Sequence, residues 1–387
     1  MSISSPEFGY PRALFDPHYI PPKLLHRNKE LKLITNLFRS SLEPDDQYLL
    51  NAFIHGIRGV GKTVFTNYSI NYLKSNSGHQ FTSIYLDMSI KSPYENLRLL
   101  VELYSQLLSQ KYVYLRDSKD LWSYFLYLRN KNTTPLILIF DNVDSSNLEL
   151  YLKILRIAKS LNLSTIAISQ KPPHALKEKL NSLTDQLNLE LKLEIYSSSA
   201  LLDILTQRIT LAFPTARINP TYSRYIVDIV THFDNFRPST CIDILKTFYQ
   251  HFIEGLDITP TLIRDASFHL LEFPFRDDLE FLLWFDDSPI NLFYLPLIEK
   301  LAIYFKNKEN VYISQDELFN LYKLTCDELM SPYNRDQFQQ FFDFLLTNGF
   351  LYPSQFKLKN KELLFFMILD PDRFLDYLEI KFSKKLD

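Results

Sequence analysis

Glycine is scarce in this chain of 387 residues: there are seven, at positions 9, 56, 59, 61, 78, 255 and 349. That count excludes glycine-rich linkers and fibrous repeats. Cysteine is scarcer still, with only Cys241 and Cys326, too few for a disulfide framework or a four-cysteine zinc site. Neither sign of charge dominates: 42 Lys and Arg stand against 45 Asp and Glu, a formal net charge of −3. No apolar run approaches the roughly 20 residues that a membrane helix needs. Residues 1–15 have neither the basic start nor the apolar stretch of a secretion signal, so the cytoplasm is the expected location. What is plentiful is apolar surface, 46% of residues. That is enough for real cores and excludes a disordered chain, and the length predicts two or three domains.

Three of the seven glycines fall within six positions, in Asn51-Ala-Phe-Ile-His55-Gly56-Ile57-Arg58-Gly59-Val60-Gly61-Lys62-Thr63-Val64-Phe65. The spacing is GxxxxGKT between a short strand and a helix, the P-loop pattern in its required context. Glycines let backbone N–H groups turn inward around phosphate oxygens, and the helix N-terminus adds unpaired N–H groups and a positive dipole end. Lys62 is expected to reach the β- and γ-phosphates and the Thr63 hydroxyl to ligate Mg²⁺. ATP or ADP with Mg²⁺ is the expected ligand, cradled by residues 56–64.

A second motif strengthens the first. Pro135-Leu-Ile-Leu-Ile-Phe140-Asp141-Asn142 is an unbroken apolar run ending in an acid, as a parallel strand buried on both faces requires. Asp141 stands where an acid holds Mg²⁺ through water. The residue after it is Asn142, whose amide orients water but accepts no proton. Nucleotide binding is therefore better supported than hydrolysis, unless another group such as Asp144 polarises the water.

Strand-like segments at 51–55, 82–87, 136–141, 164–169 and 189–195 alternate with helical patterns at 63–73, 93–110, 117–130 and 149–161. Alternation predicts an α/β core with a parallel sheet. From Ser197 the pattern is helical only, with segments at 197–208, 220–232, 238–252 and 260–271, several opening on proline. An acidic, proline-flanked stretch at 272–289 marks a boundary. Beyond it, helices at 295–305, 314–329 and 334–348 precede a hairpin at 350–358 and 363–368, a winged-helix pattern. The expected domains are 1–196, 197–272 and 273–387. Phe338, Phe341, Phe342 and Phe344 fall at helical spacing, as core packing expects; Phe341–Phe344 as a cluster also suits burial against another protein.

The order of these features resembles the archaeal origin-recognition (Orc-type) replication initiators among the AAA+ ATPases. Tyr19-Ile-Pro-Pro-Lys-Leu-Leu-His26-Arg27-Asn-Lys-Glu30 is similar to the segment that lies against the adenine in that family. The run from Leu193 through Tyr196 and Ser197 to Arg208 resembles its entry into the helical lid. Arg237, in Asp234-Asn-Phe-Arg237-Pro, stands where the family carries its sensor 2 arginine. Ser169-Gln170 stands where it carries sensor 1, usually Ser-Asn. The resemblance implies a P-loop AAA+ core, an all-α lid and a winged helix. It implies Asp141, Asn142, Gln170 and Arg237 about the γ-phosphate, and Arg27 and Tyr196 about the nucleotide. The family places Glu where this chain has Asn142, and the sensor 2 glycine is missing. No arginine lies between Lys171 and Leu193 to act as a finger, and Lys177 or Lys179 is a poor substitute.

The resemblance also implies double-stranded DNA as a partner, self-association or other replication proteins besides, and no membrane. Arg335, Gln337 and Gln340 would read the groove, with Lys357, Lys359 and Lys361 on the wing. Charge argues partly against this. Residues 271–387 carry 13 basic and 20 acidic residues, a net charge of −7, which leaves +4 for residues 1–270. Phosphate contacts dominate DNA affinity, so an acidic reader is unusual. The expected function is a nucleotide-gated, DNA-binding switch of origin-recognition type with weak or absent hydrolysis. The alternative is a STAND-type signalling ATPase whose winged helix contacts protein, with which Arg58 is compatible.

Overall fold

The computed structural model describes residues 11–42, 48–89, 92–110, 115–143, 148–176, 186–213, 218–272, 289–306, 311–357 and 362–383. They divide into two compact units, one of residues 17–196 and the other of the residues before 17 together with those from 197 on.

The unit of residues 17–196 is built on a five-stranded sheet. Its strands are β1 (Asn51–His55), β2 (Thr82–Asp87), β3 (Leu136–Asp141), β4 (Leu163–Ser169) and β5 (Leu189–Lys192). The order is β2-β3-β4-β1-β5 and every pairing is parallel. Strands β1, β3 and β4 are buried throughout, which is why β3 runs apolar from Leu136 to Phe140 without alternation; β1 and β4 bury Asn51, His55, Ser164, Thr165 and Ser169 as well. Edge strands β2 and β5 are only partly buried. The parallel connections are made by helices, after α1 (Arg12–Phe15) and α2 (Asn28–Ser41): α3 (Lys62–Asn76), α4 (Pro93–Leu107), α5 (Ser118–Lys131) and α6 (Leu148–Ile157). Ser92 and Glu95 form a full capping box at the start of α4, which fixes that start. Tyr104 and Phe125 are buried in the core beside Phe140 and Tyr151, so these aromatics pack rather than stack on bases.

The other unit begins with α1, where Arg208 Nη1 donates to the Ala13 carbonyl at 3.0 Å. Its helices are α7 (Ser198–Ala212), α8 (Pro220–Phe233), α9 (Pro238–Thr247), α10 (Tyr249–Ile253) and α11 (Pro260–Leu270). They continue into α12 (Pro289–Lys306), β6 (Ile313–Ser314), α13 (Gln315–Glu328), α14 (Arg335–Thr347), β7 (Tyr352–Lys357), β8 (Leu363–Phe366) and α15 (Pro371–Ser383). The second sheet has the order β6-β8-β7, and with α12, α13 and α14 it makes a winged helix.

Several expectations need correction. The helix expected over 238–252 breaks at Phe248, whose N–H bonds the carbonyl three residues back. The strand expected to reach Ile195 stops at Lys192. Helix α12 begins six residues earlier than expected and carries Pro296 inside it. Phe341 and Phe342 are buried in the unit's own core with Phe338 and Phe365, and the half-buried Phe344 is packed against it, so the cluster serves this unit's own core.

Helix α8 ties the helical segment to the wing. Asp228, fully buried in α8, accepts from Ser354 Oγ at 2.6 Å, from the Gln355 N–H at 2.8 Å and from the Tyr312 hydroxyl at 2.7 Å. Two of these donors lie on β7. One turn on, His232 Nε2 lies 2.7 Å from the Pro353 carbonyl oxygen. Tyr225 donates its hydroxyl to the Met367 carbonyl at 2.7 Å and accepts from Arg264 Nε at 3.1 Å. A buried polar network with its partners in place fixes one arrangement of the elements it joins.

Candidate nucleotide site

The loop after β1 is shaped by its glycines. Gly61 has φ of 92° and opens α3, with no side chain capping that helix. The first N–H groups of α3 are thereby left for an anion. Gly56 has φ of 154°, and a Cβ placed on it would lie 2.6 Å from the Leu193 carbonyl oxygen. Backbone cannot yield as a flexible side chain does, so only glycine lets the loop pass under the segment after β5. Gly56→Ala is expected to weaken ATP binding at least tenfold, with a loss of about 2 kcal/mol in stability; nucleotide titration and chemical unfolding read the two effects.

Lys62 Nζ donates to the Gly56 and Ile57 carbonyls, at 2.8 Å each, which places its ammonium over the loop. Thr63 Oγ1 donates to Asp141 Oδ2 at 2.5 Å. This bond joins the two motifs, 78 residues apart in the chain. Donating its proton to Asp141 leaves the Thr63 oxygen with lone pairs for a cation. Hydroxyl and carboxylate are the hard oxygen donors that suit Mg²⁺, which takes few protein ligands and keeps phosphate and water for the rest. Among the described residues no cluster of three His, Cys, Asp or Glu forms a larger metal site.

Asp141 is buried and accepts two further bonds, from the Tyr85 hydroxyl at 2.6 Å and from the Asn142 N–H at 2.8 Å. Burial, then the neighbouring Asp141 carboxylate, push the Tyr85 hydroxyl well above its ordinary value, so it stays protonated and donating. Asn142 has φ of 60°, a conformation that asparagine tolerates better than most residues. Its Nδ2 donates to Asp87 Oδ1 at 2.9 Å. Burial pushes the Asp87 carboxyl up, but hydrogen bonds from Asn142 and Ser89 outweigh it and hold the group below its ordinary value. Gln170 is exposed just beyond β4, between the strands that carry the two motifs. His55, below the loop, is 3.0 Å from Glu190; desolvation nevertheless lowers its pKa, which favours the neutral ring.

The structure thus gathers residues 56–64, Asp141, Asn142 and Gln170 at the carboxyl ends of parallel strands, where ligands of such sheets bind. It adds Tyr85 and Asp87, which the sequence pattern does not single out. The available signal is that β2 ends in Asp87, register partner of Asp141 on the neighbouring strand.

Arg27 and Tyr196 are brought together, but onto each other. The guanidinium lies 4.1 Å over the Tyr196 ring. It donates to the Tyr196 hydroxyl at 3.0 Å, to Glu30 at 3.2 Å and to the Glu194 carbonyl at 2.5 Å. So engaged, the Arg27 guanidinium is held against the Tyr196 ring. Arg237 belongs to the other unit, where it pairs with Asp234 at 2.9 Å. Its Nε is buried with no hydrogen-bond partner among the described residues. Asn235 and Phe236 before it have φ of 50° and 60°, a strained turn where glycine is absent. In the winged helix, Arg335, Gln337 and Gln340 are exposed on α14, and Lys357 is exposed at the end of β7. Asp144, Lys177, Lys179, Lys359 and Lys361 lie outside the described residues.

No protein-family model matches the chain. Among curated proteins it is similar to the ORC1-type DNA replication protein 1 of Sulfurisphaera tokodaii, 24% identical over 223 residues, which cover 55% of this chain and 54% of that protein. It is also similar to the ORC1-type DNA replication protein 1 of Sulfolobus acidocaldarius, 25% identical over 135 residues, 35% of this chain and 33% of that protein. The chain therefore spans about half the length of one relative and about a third of the other. Among solved structures, Cdc6p from Pyrobaculum aerophilum matches with a TM-score of 0.78 at 18% identity, over 98% of this chain and 100% of that one. The Aeropyrum pernix ORC1 protein in complex with DNA matches at 0.58 and 17%, over 97% and 98%. The Aeropyrum pernix ORC2 protein in its ADPNP–ADP complexes matches at 0.56 and 18%, over 97% and 98%. The chain has the archaeal Orc/Cdc6-type fold, an AAA+ α/β core with a helical lid and a winged helix. Its sequence likeness lies with ORC1-type replication proteins.

Proposed function

We propose that this chain is an ATP-binding, origin-recognition-type replication protein whose nucleotide state sets its grip on duplex DNA. The bond between Thr63 and Asp141 carries the reading, because it joins the loop and the acid that together would hold a magnesium–triphosphate. Lys62 would hold the β- and γ-phosphates, Thr63 would ligate the ion, and Asp141 would hold it through water. The ion, when bound, would supply charge neutralisation between the phosphates. Arg27 and Tyr196 would wall the base, and Gln170 and Arg237 would contact the γ-phosphate. Residues 197–272 would be the lid. Hydrolysis is expected to be slow, because position 142 offers an amide. The relatives are named for DNA replication, and one neighbour in fold was solved on DNA.

A gate requires that the nucleotide favour one arrangement of the DNA-binding part. Helix α8 would supply the link. Its C-terminal end runs into the Asp234–Arg237 turn, and its buried face holds β7 through Asp228. A bond made at Arg237 would therefore be carried to the wing by one helix.

The signalling-type alternative draws on one observation. The exposed face of α14 sets Asp336 and Asp343 against Arg335, poor for a phosphate-lined groove and acceptable for a protein surface. Duplex binding with and without ATP at two salt concentrations separates the two readings. The initiator reading expects affinity that rises with ATP and falls with salt; no duplex affinity at low salt supports the alternative. Lys357→Ala is expected to weaken binding uniformly across sequences. It should also make the fall of log affinity with log salt shallower by about 0.9 for each phosphate that the lysine neutralises.

A further inference from the structure

Position 142 lacks the carboxylate that the family uses to activate water, yet a carboxylate is present beside it. Asp87 ends β2 and Asp141 ends β3, as register partners on adjacent strands. Between the two acids stands Asn142, whose backbone N–H bonds Asp141 and whose side-chain nitrogen bonds Asp87. The amide nitrogen donates to Asp87, which leaves the amide oxygen as an acceptor for water. The two acids differ in kind. Asp141 is buried and held by three donors. Asp87 is exposed at the strand end, where solvent reaches it.

We propose that Asp87, held by Asn142, supplies the carboxylate that activates water for ATP hydrolysis, a step that rests on the reading that the loop binds ATP. The water oxygen bonds to the γ-phosphorus, and the bond from that phosphorus to the β–γ bridging oxygen breaks, its electron pair leaving with ADP. The proton lost by the water passes to Asp87 and then to solvent. Asn142 is a positioning residue in this scheme, orienting both the water and the acid. The carboxylate reaches the water from the neighbouring strand, so turnover is slow but present.

The test compares the full chain with Asp87→Asn, and with the double variant Asp87→Asn, Asn142→Asp, which moves the carboxylate to position 142. Turnover and the affinities for ATP and ADP are measured on each. The wild type is expected to turn over slowly. Asp87→Asn should lower turnover by about 100-fold, the usual contribution of a general base. The same change removes a negative charge near the γ-phosphate and is expected to tighten ATP roughly threefold while leaving ADP unchanged. The double variant should regain turnover. Unchanged turnover in Asp87→Asn overturns the inference. So does equal movement of ATP and ADP affinity, or a wild type that binds ATP without cleaving it. A wild type that binds neither nucleotide overturns the proposed function as well.

Discussion

Lys62→Ala is expected to lower ATP and ADP affinity by about 100-fold or more, close to 3 kcal/mol, with the fold intact. The side chain is half-buried and bonds two carbonyls of its own loop, so its removal leaves the sheet and the helices around it packed. What it costs is the point charge that meets the β- and γ-phosphates. Calorimetry reads the loss and circular dichroism checks the fold. If nucleotide gates DNA, the variant also loses the ATP-dependent gain in duplex affinity and keeps the ATP-independent part. A Lys62→Ala protein that binds ATP as the wild type does would remove the loop from the account.

The second large effect lies far from the loop in sequence. Asp228→Ala is expected to destabilise the unit that holds residues 197–383 by about 3 kcal/mol, because it removes a buried acceptor from three donors at once: the buried Ser354 Oγ, the Gln355 N–H and the half-buried Tyr312 hydroxyl. It should also uncouple duplex affinity from nucleotide, since β7 then loses its fixed seat on α8. Nucleotide affinity itself should stay. The pH dependence has a definite sign. Burial outweighs the hydrogen bonds and raises the Asp228 carboxyl above its ordinary 3.8. The folded state then holds this proton more tightly than the unfolded state, so the group's contribution to stability falls as pH rises from about 3.8 to the raised value and is level above it. Against Asp228→Asn, which cannot titrate, the wild type should lose stability over that window; urea unfolding at several pH values measures the difference.

What the sequence made legible followed from strong local constraints. The glycine cluster, the lysine and the run into Asp141 each answer to one physical need, and the structure joins them by a single hydrogen bond. Fully buried β3 declared itself by the unbroken apolar run from Leu136 to Phe140. Less legible were features whose cause is tertiary. Helix α2 follows a proline-rich stretch and is fastened by Arg27, a residue whose partners lie 167 and 169 positions on. Asp87 looks like an ordinary strand-end acid until the register sets it beside Asp141. Asp228 sits inside a run of apolar residues in α8, and nothing in its own helix shows that two of its partners are on the wing. The strained turn at Asn235 and Phe236 is the local counterpart: the missing glycine is visible in the sequence, but not that two residues take left-handed conformations just before Arg237.

The central claim is that residues 56–63 and Asp141 hold a magnesium–triphosphate. Titrating the purified wild-type chain with MgATP in a calorimeter tests it most directly. The account predicts heat that saturates at one nucleotide per chain, with weaker binding once Mg²⁺ is chelated. A flat thermogram with both ATP and ADP at high concentration would contradict it.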